Sequence, residues 1–213
     1  MFVTLLVICT FLVSLTSLKM HFAFLRWISL ILLLTIINEG MIQWLLYSGI
    51  RRNVIYYNAF SLADMTVWFI VFFLIHQKKP YRVFIITAFV VCMAYSLIEL
   101  LYLKGWWHFH TDSFRLYDIS MIIMALMYFY EKLKEVYHNL VADHVFWIAA
   151  ACFLYHSLLF VTFTTQSQPD YWSLPNAGRF YNILQNTGSL FYYLLLSLSF
   201  FICYSRFSRQ VQA

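Results

Sequence analysis

Three acids, Glu39, Asp64 and Glu99, stand inside stretches of otherwise apolar sequence. So do His156, Asn182 and Asn186, with Arg179 one turn ahead of Asn182. In hydrocarbon, ionisable side chains are costly. They face a bundle interior or a water-filled cavity, pair with one another, and mark sites for ligands, ions or protons. Three acids at similar depth repel one another, so they need protons, a cation, or basic groups such as Arg179 and His156. Helical spacing sorts the polar residues onto faces. Thr35, Glu39 and Gln43 stand four apart; Tyr57, Ser61, Asp64 and Trp68 share a second face; Asn182, Asn186 and Ser189 share a third. The expectation is one outward-opening pocket that binds a small molecule through Glu39, Asp64, Glu99, His156, Arg179, Asn182 and Asn186. Asn58, Ser61, Gln185 and Ser189 read as hydrogen-bonding glue between helices. Arg115 and Asp118, three apart, are spaced to pair on a helix surface.

Other chemistries find less support. His108, His110 and His156 supply the number of ligands a catalytic zinc takes. Yet the chain lacks the Ser-x-x-x-His and His-x-x-x-His spacings of ceramidase-type seven-helix hydrolases, and His108 and His110 read as interfacial loop residues. No GxSxG or paired-Asp motif occurs, and the last helix has no lysine to carry retinal. The four cysteines show no CxxC spacing and read as small apolar fillers. Neither metal nor cofactor is expected, and the chain does not read as an enzyme. A metal-dependent membrane hydrolase stays as a lesser alternative.

The elements that must position these residues follow from composition. Of the 213 residues 63% are hydrophobic and 11% charged, against roughly 45–50% and 25% in soluble domains. A helix needs about 20 mostly apolar residues to cross hydrocarbon. Seven runs qualify, at 1–18, 22–49, 54–76, 83–103, 114–137, 144–165 and 178–204. The spacing predicts an all-α, polytopic bundle of about seven transmembrane helices forming one domain, with the prolines confined to loops. The first run lacks a basic flank and a cleavage site, so it reads as a helix that is kept, not a signal peptide.

Orientation follows the bias of Lys and Arg towards the cytoplasm. One side holds Lys19, Arg26, Lys78, Lys79, Arg82, Lys132, Lys134, Arg206 and Arg209; the other holds Arg51, Arg52, Lys104, Arg115 and Arg179. This places the N-terminus outside and the C-terminus in the cytoplasm. On that assignment the strongly polar residues fall in the outer halves of the helices, and Trp106–His110 and Tyr171-Trp172 form outer interfacial belts. The net charge of +5 sits at helix ends, where it suits topology and anionic headgroups and not nucleic acid. The Glu131–Glu135 segment reads either as a solvated helix end or as a charged docking face for a cytoplasmic partner. A small-solute or ion transporter of the SWEET type has the same helix number. Its midplane polar path and helix prolines are missing here.

The segments Asn38-Glu39, Tyr57–Asp64, Tyr128-Phe129-Tyr130, Phe146-Trp147-Ile148 and Tyr181–Asn186 carry a resemblance. The chain resembles small seven-helix membrane proteins of Bacteroidota type, often encoded beside sensor histidine kinases; these carry a Glu near where Asp64 stands. The resemblance implies a multi-pass protein of a bacterial inner membrane with a signalling role and a sensor-kinase neighbour. Residues and resemblance together lead to a sensor that binds a small or amphiphilic molecule and signals to a cytoplasmic partner.

Overall fold

Backbone that crosses hydrocarbon must satisfy its own hydrogen bonds, which favours helices in a chain this apolar. In the computed structural model the described residues, 2–16, 22–49, 53–134, 139–166 and 176–212, are helical throughout their regular elements and contain no strand. The helices are α1 (Phe2–Leu15), α2 (Ala23–Tyr47), α3 (Val54–Ile75), α4 (Lys79–Ile98), α5 (Thr111–Leu133), α6 (His144–Gln166) and α7 (Ala177–Gln212). A π-helical turn, Glu99–Leu103, continues α4, and a 3-10 turn, Leu140–Ala142, precedes α6. Lys19, Arg51, Arg52, Glu135, Tyr171 and Trp172 lie outside the described residues.

Five of these helices are long and apolar enough to cross a membrane: α2, α3, α4 with its π turn, α6 and α7. The chain is therefore all-helical with the makeup of a multi-pass membrane protein. The other two differ from expectation for separate reasons. At 14 residues, α1 is about 21 Å long, short of a hydrocarbon core of about 30 Å. At 23 residues, α5 is long enough, but Arg115, Asp118, Glu131 and Lys132 dilute its apolar character. The expectation that prolines stay in loops also fails at Pro80, which occupies the first turn of α4. There its missing N–H is one that no helix carbonyl would have received.

The chain forms two compact units, Met1–Phe114 and Arg115–Ala213. In the first, α2 buries Leu25, Ile28 and Leu32 at helical spacing, and α3 buries Val67, Trp68, Val71 and Phe72. Outward, α4 shows Val83, Ile86, Val90, Leu97 and Leu101, each more than two-fifths exposed. Such a stripe is a liability in water and an asset in lipid. In the second unit α5 buries Tyr117, Met121, Met124, Ala125 and Tyr128 along one face. α6 lies close against α7 because Gly188 has no side chain: a Cβ there would stand 3.3 Å from Leu158 Cδ1. Small residues allow this approach where lipid supplies no hydrophobic drive between helices.

Aromatic side chains tie the end of α5 to the start of α6. Tyr128 donates its hydroxyl to Asp143 Oδ2 at 2.7 Å, while Asp143 Oδ1 caps α6 by accepting from Val145 N at 3.0 Å. The Phe129 ring meets Phe146 at 5.6 Å, and Trp147 donates Nε1 to the Val141 carbonyl at 2.9 Å.

Candidate functional site: two buried polar clusters

The first cluster forms where α3 begins, α4 ends and α5 begins. The π turn sets it up. Hydrogen bonding from i to i+5 stacks Lys104 over Glu99, with Lys104 N donating to Glu99 O at 2.8 Å. Its ammonium then reaches Glu99 Oε1 at 2.5 Å and Asp112 Oδ2 at 2.9 Å. Gly105, with φ of +76°, turns the chain out of the helix in the left-handed region. The fully buried Glu99 carboxylate accepts from Ser113 N at 2.8 Å and Asp112 N at 3.3 Å. It thus caps the first turn of α5 from another helix, where a negative charge also meets the positive end of the helix dipole. Burial works against the charge of Lys104, but Asp112 and Glu99 outweigh it and hold the ammonium above the usual lysine range.

α3 holds the connecting loop. Asn58 Nδ2 donates to the carbonyls of Trp106 and His108, both at 3.0 Å. Ser61 Oγ meets His110 Nε2, and His110 Nδ1 meets Ser113 Oγ at 2.9 Å. His110 is fully buried, with the Phe109 and Phe114 rings each 5.3 Å away. This corrects the reading of both loop histidines as interfacial: His108 is exposed, but His110 is a core residue. A hydroxyl on an imidazole is the starting geometry of a nucleophile and its base. Here Ser61 is buried and its Oγ also lies 2.7 Å from the Asn58 carbonyl, so the pair locks the loop to α3. Asn58 and Ser61 act as glue, as expected.

Burial first, and then the Lys104 ammonium, bring the His110 pKa down to about 4 against the opposing pull of Glu99. The imidazole is therefore neutral near pH 7. A histidine held below its unfolded value of about 6.5 stabilises the fold fully above that pH. The contribution shrinks as pH falls from about 6.5 towards 4, because only the unfolded chain takes up the proton. The full loss is about 3 kcal/mol. Thermal unfolding midpoints of the detergent-solubilised chain should fall across that window. His110→Gln, which keeps a donor and an acceptor, should flatten the fall; parallel curves for the two proteins would assign it to another group.

The second cluster lies within the second unit. His156 Nδ1 and Asp118 Oδ1 are 2.8 Å apart, and both side chains are almost wholly buried. The Tyr117 ring meets the imidazole edge-on at 5.1 Å and Tyr155 does so at 5.4 Å; Tyr155 in turn stacks on Tyr192 at 4.5 Å. Among the described residues Asp118 Oδ2 has no hydrogen-bond partner. Asp118 thus turns to His156 and not to Arg115, whose Nη2 donates to the Phe163 carbonyl at 2.8 Å. Sequence spacing alone had pointed to an Arg115–Asp118 pair.

The seven expected ligand residues divide between the units. Glu39 and Asp64 in the first are half-buried, and Glu99 is buried with the partners above. In the second, His156 is buried against Asp118, while Arg179, Asn182 and Asn186 are exposed on the first turns of α7. The structure therefore supplies Lys104, His110, Asp112 and Asp118 as partners that the expected set did not contain. Among the described residues no three His, Cys, Asp or Glu side chains are grouped as metal ligands.

No protein-family model, curated protein or solved structure matches this chain. A functional reading therefore rests on the geometry of these clusters.

Proposed function

We propose that the chain is a seven-helix sensor of a bacterial inner membrane, with its N-terminus outside and its C-terminus in the cytoplasm. It binds a small or amphiphilic molecule through the polar side chains Glu39, Asp64 and Glu99 of the first unit. It passes the signal to a cytoplasmic partner such as a sensor kinase, with Glu131, Lys132 and Lys134 as the docking face. The Bacteroidota-type resemblance supports the signalling context.

One observation carries this reading. In the first unit the buried polar groups Asn58, Ser61, Ser96, Glu99, His110 and Ser113 collect where α3 starts and α4 ends, while Val67, Trp68, Val71 and Phe72 fill the far half of α3. One end gathers the unit's polar side chains, and the other is close-packed and apolar, which suits reception at the first and transmission through the second.

The test is a screen of small amphiphiles against the full chain in lipid nanodiscs, read as a rise in unfolding temperature. Glu39→Ala and Asp64→Ala should each abolish the response to an active compound while membrane insertion stays normal. An undiminished response in both variants would remove these residues from the site. A second reading, proton-linked transport of a small solute, draws on the Asp118–His156 pair, since His156 lies near the middle of α6 and buried acid–histidine pairs serve as proton relays. Saturable, pH-dependent uptake into proteoliposomes would favour it over the sensor.

A further inference from the structure

The other end of the first unit has a different character. α3 and α4 leave between them an open groove with a volume of about 220 Å³. From α3 it is lined by Thr66, Phe69, Ile70 and Phe73, an i, i+3, i+4, i+7 face. Thr66 donates its hydroxyl to the Leu62 carbonyl at 2.8 Å, which satisfies its polar atom within the helix. α4 contributes Ile85, Ile86 and Phe89. The Phe69 and Phe89 rings meet at 5.4 Å. Such a lining offers water nothing to bond to, and it suits a stretch of acyl chain.

Arg82 precedes Ile85 and Ile86 by one turn on the same face of α4. Its guanidinium lies over the Phe73 ring at 4.8 Å, which fixes a positive charge beside the groove. Nε donates to the His76 carbonyl and Nη2 to Gln77 Oε1, both at 2.9 Å. A guanidinium has five N–H donors, and Nη1 keeps its own for another acceptor. Lys78 and Lys79 are exposed on the same turn of chain, and the sequence from Ile70 to Val90 contains no Asp or Glu. A planar donor fork backed by two ammonium groups is suited to phosphate.

We propose that this face is a binding site for one anionic glycerophospholipid. An acyl chain lies in the α3–α4 groove, and the headgroup phosphate is held by Arg82 with Lys78 and Lys79. The site stands apart from the polar ends to which the sensing function is assigned, so either can fail alone.

The test is native mass spectrometry of the full chain in detergent, titrated with phosphatidylglycerol or phosphatidylcholine. A basic side chain at an anionic lipid surface is worth about a fivefold preference. The wild type should retain one phosphatidylglycerol at least about tenfold better than phosphatidylcholine. Arg82→Gln should erase most of that preference. Lys78→Gln with Lys79→Gln, both exposed, should lower it by about fivefold or more. Ile86→Trp, which fills the groove, should weaken both lipids alike. Equal retention of the two lipids by the wild type, or an unchanged preference in the double lysine variant, would overturn the proposal. So would displacement of the lipid by soluble glycerol phosphate at equal concentration, since that would leave the groove without a role.

Discussion

Glu99→Ala should destabilise the chain by about 3–5 kcal/mol. The carboxylate is fully buried and holds three donors: Lys104 Nζ at 2.5 Å, Ser113 N at 2.8 Å and Asp112 N at 3.3 Å. Its removal uncaps α5, a change worth about 1 kcal/mol by itself. It also strips a charged partner from a lysine that is only one-third exposed, and charge-assisted bonds of this kind contribute about 1.5–3 kcal/mol. Glu99→Gln keeps an acceptor for one amide and should cost about half as much. Lys104→Met should cost less again, because Asp112 is exposed and Glu99 keeps both backbone donors. The order Glu99→Ala, Glu99→Gln, Lys104→Met should appear in unfolding midpoints in detergent. It should also appear in hydrogen exchange, with faster exchange of the Asp112 and Ser113 amides. Native-like protection of those amides in Glu99→Ala would show that α5 is capped by some other group.

The helices were legible because their signal is local. Hydrophobic runs located α2, α3 and α6 to within two residues at each end. Pro80 misled at the start of α4, since a proline in a first turn and a proline in a loop look alike in a single sequence. Glu99 stood out as an acid in an apolar run, but its partners did not. Lys104 reaches it only through the i to i+5 turn, and a π turn has no dependable sequence signature. The amides of Asp112 and Ser113 belong to backbone and leave no trace in residue types. His110 was hidden differently. Between Trp107 and Asp112 a histidine has the company of an interfacial loop, and its burial depends on Asn58 and Ser61, about fifty residues earlier, drawing that loop inward. Asp118 and His156 are 38 residues apart, so the nearer Arg115 was the more visible partner.

His156→Ala should be the most damaging change in the second unit, with a cost of about 3–5 kcal/mol, or roughly 10 °C in midpoint. It leaves the Asp118 carboxyl in the core, where Oδ2 already has no hydrogen-bond partner among the described residues and Oδ1 would then lose the one it has at 2.8 Å. Asp118→Ala strands only an imidazole nitrogen and should cost less. Asp118→Asn should cost least, since its amide oxygen can still accept from Nδ1–H. The informative variant is the double one, Asp118→Leu with His156→Leu. Replacing a buried pair by well-packed apolar residues is often neutral or stabilising, so this protein should melt near the wild type and far above His156→Ala. That recovery separates the two roles the pair can have. If it is only a contact between α5 and α6, the double variant keeps both stability and ligand response. If it reports a ligand or moves a proton, the double variant folds but no longer responds. A melting temperature for His156→Ala within a degree or two of wild type would sink the premise that the pair is buried and mutually dependent.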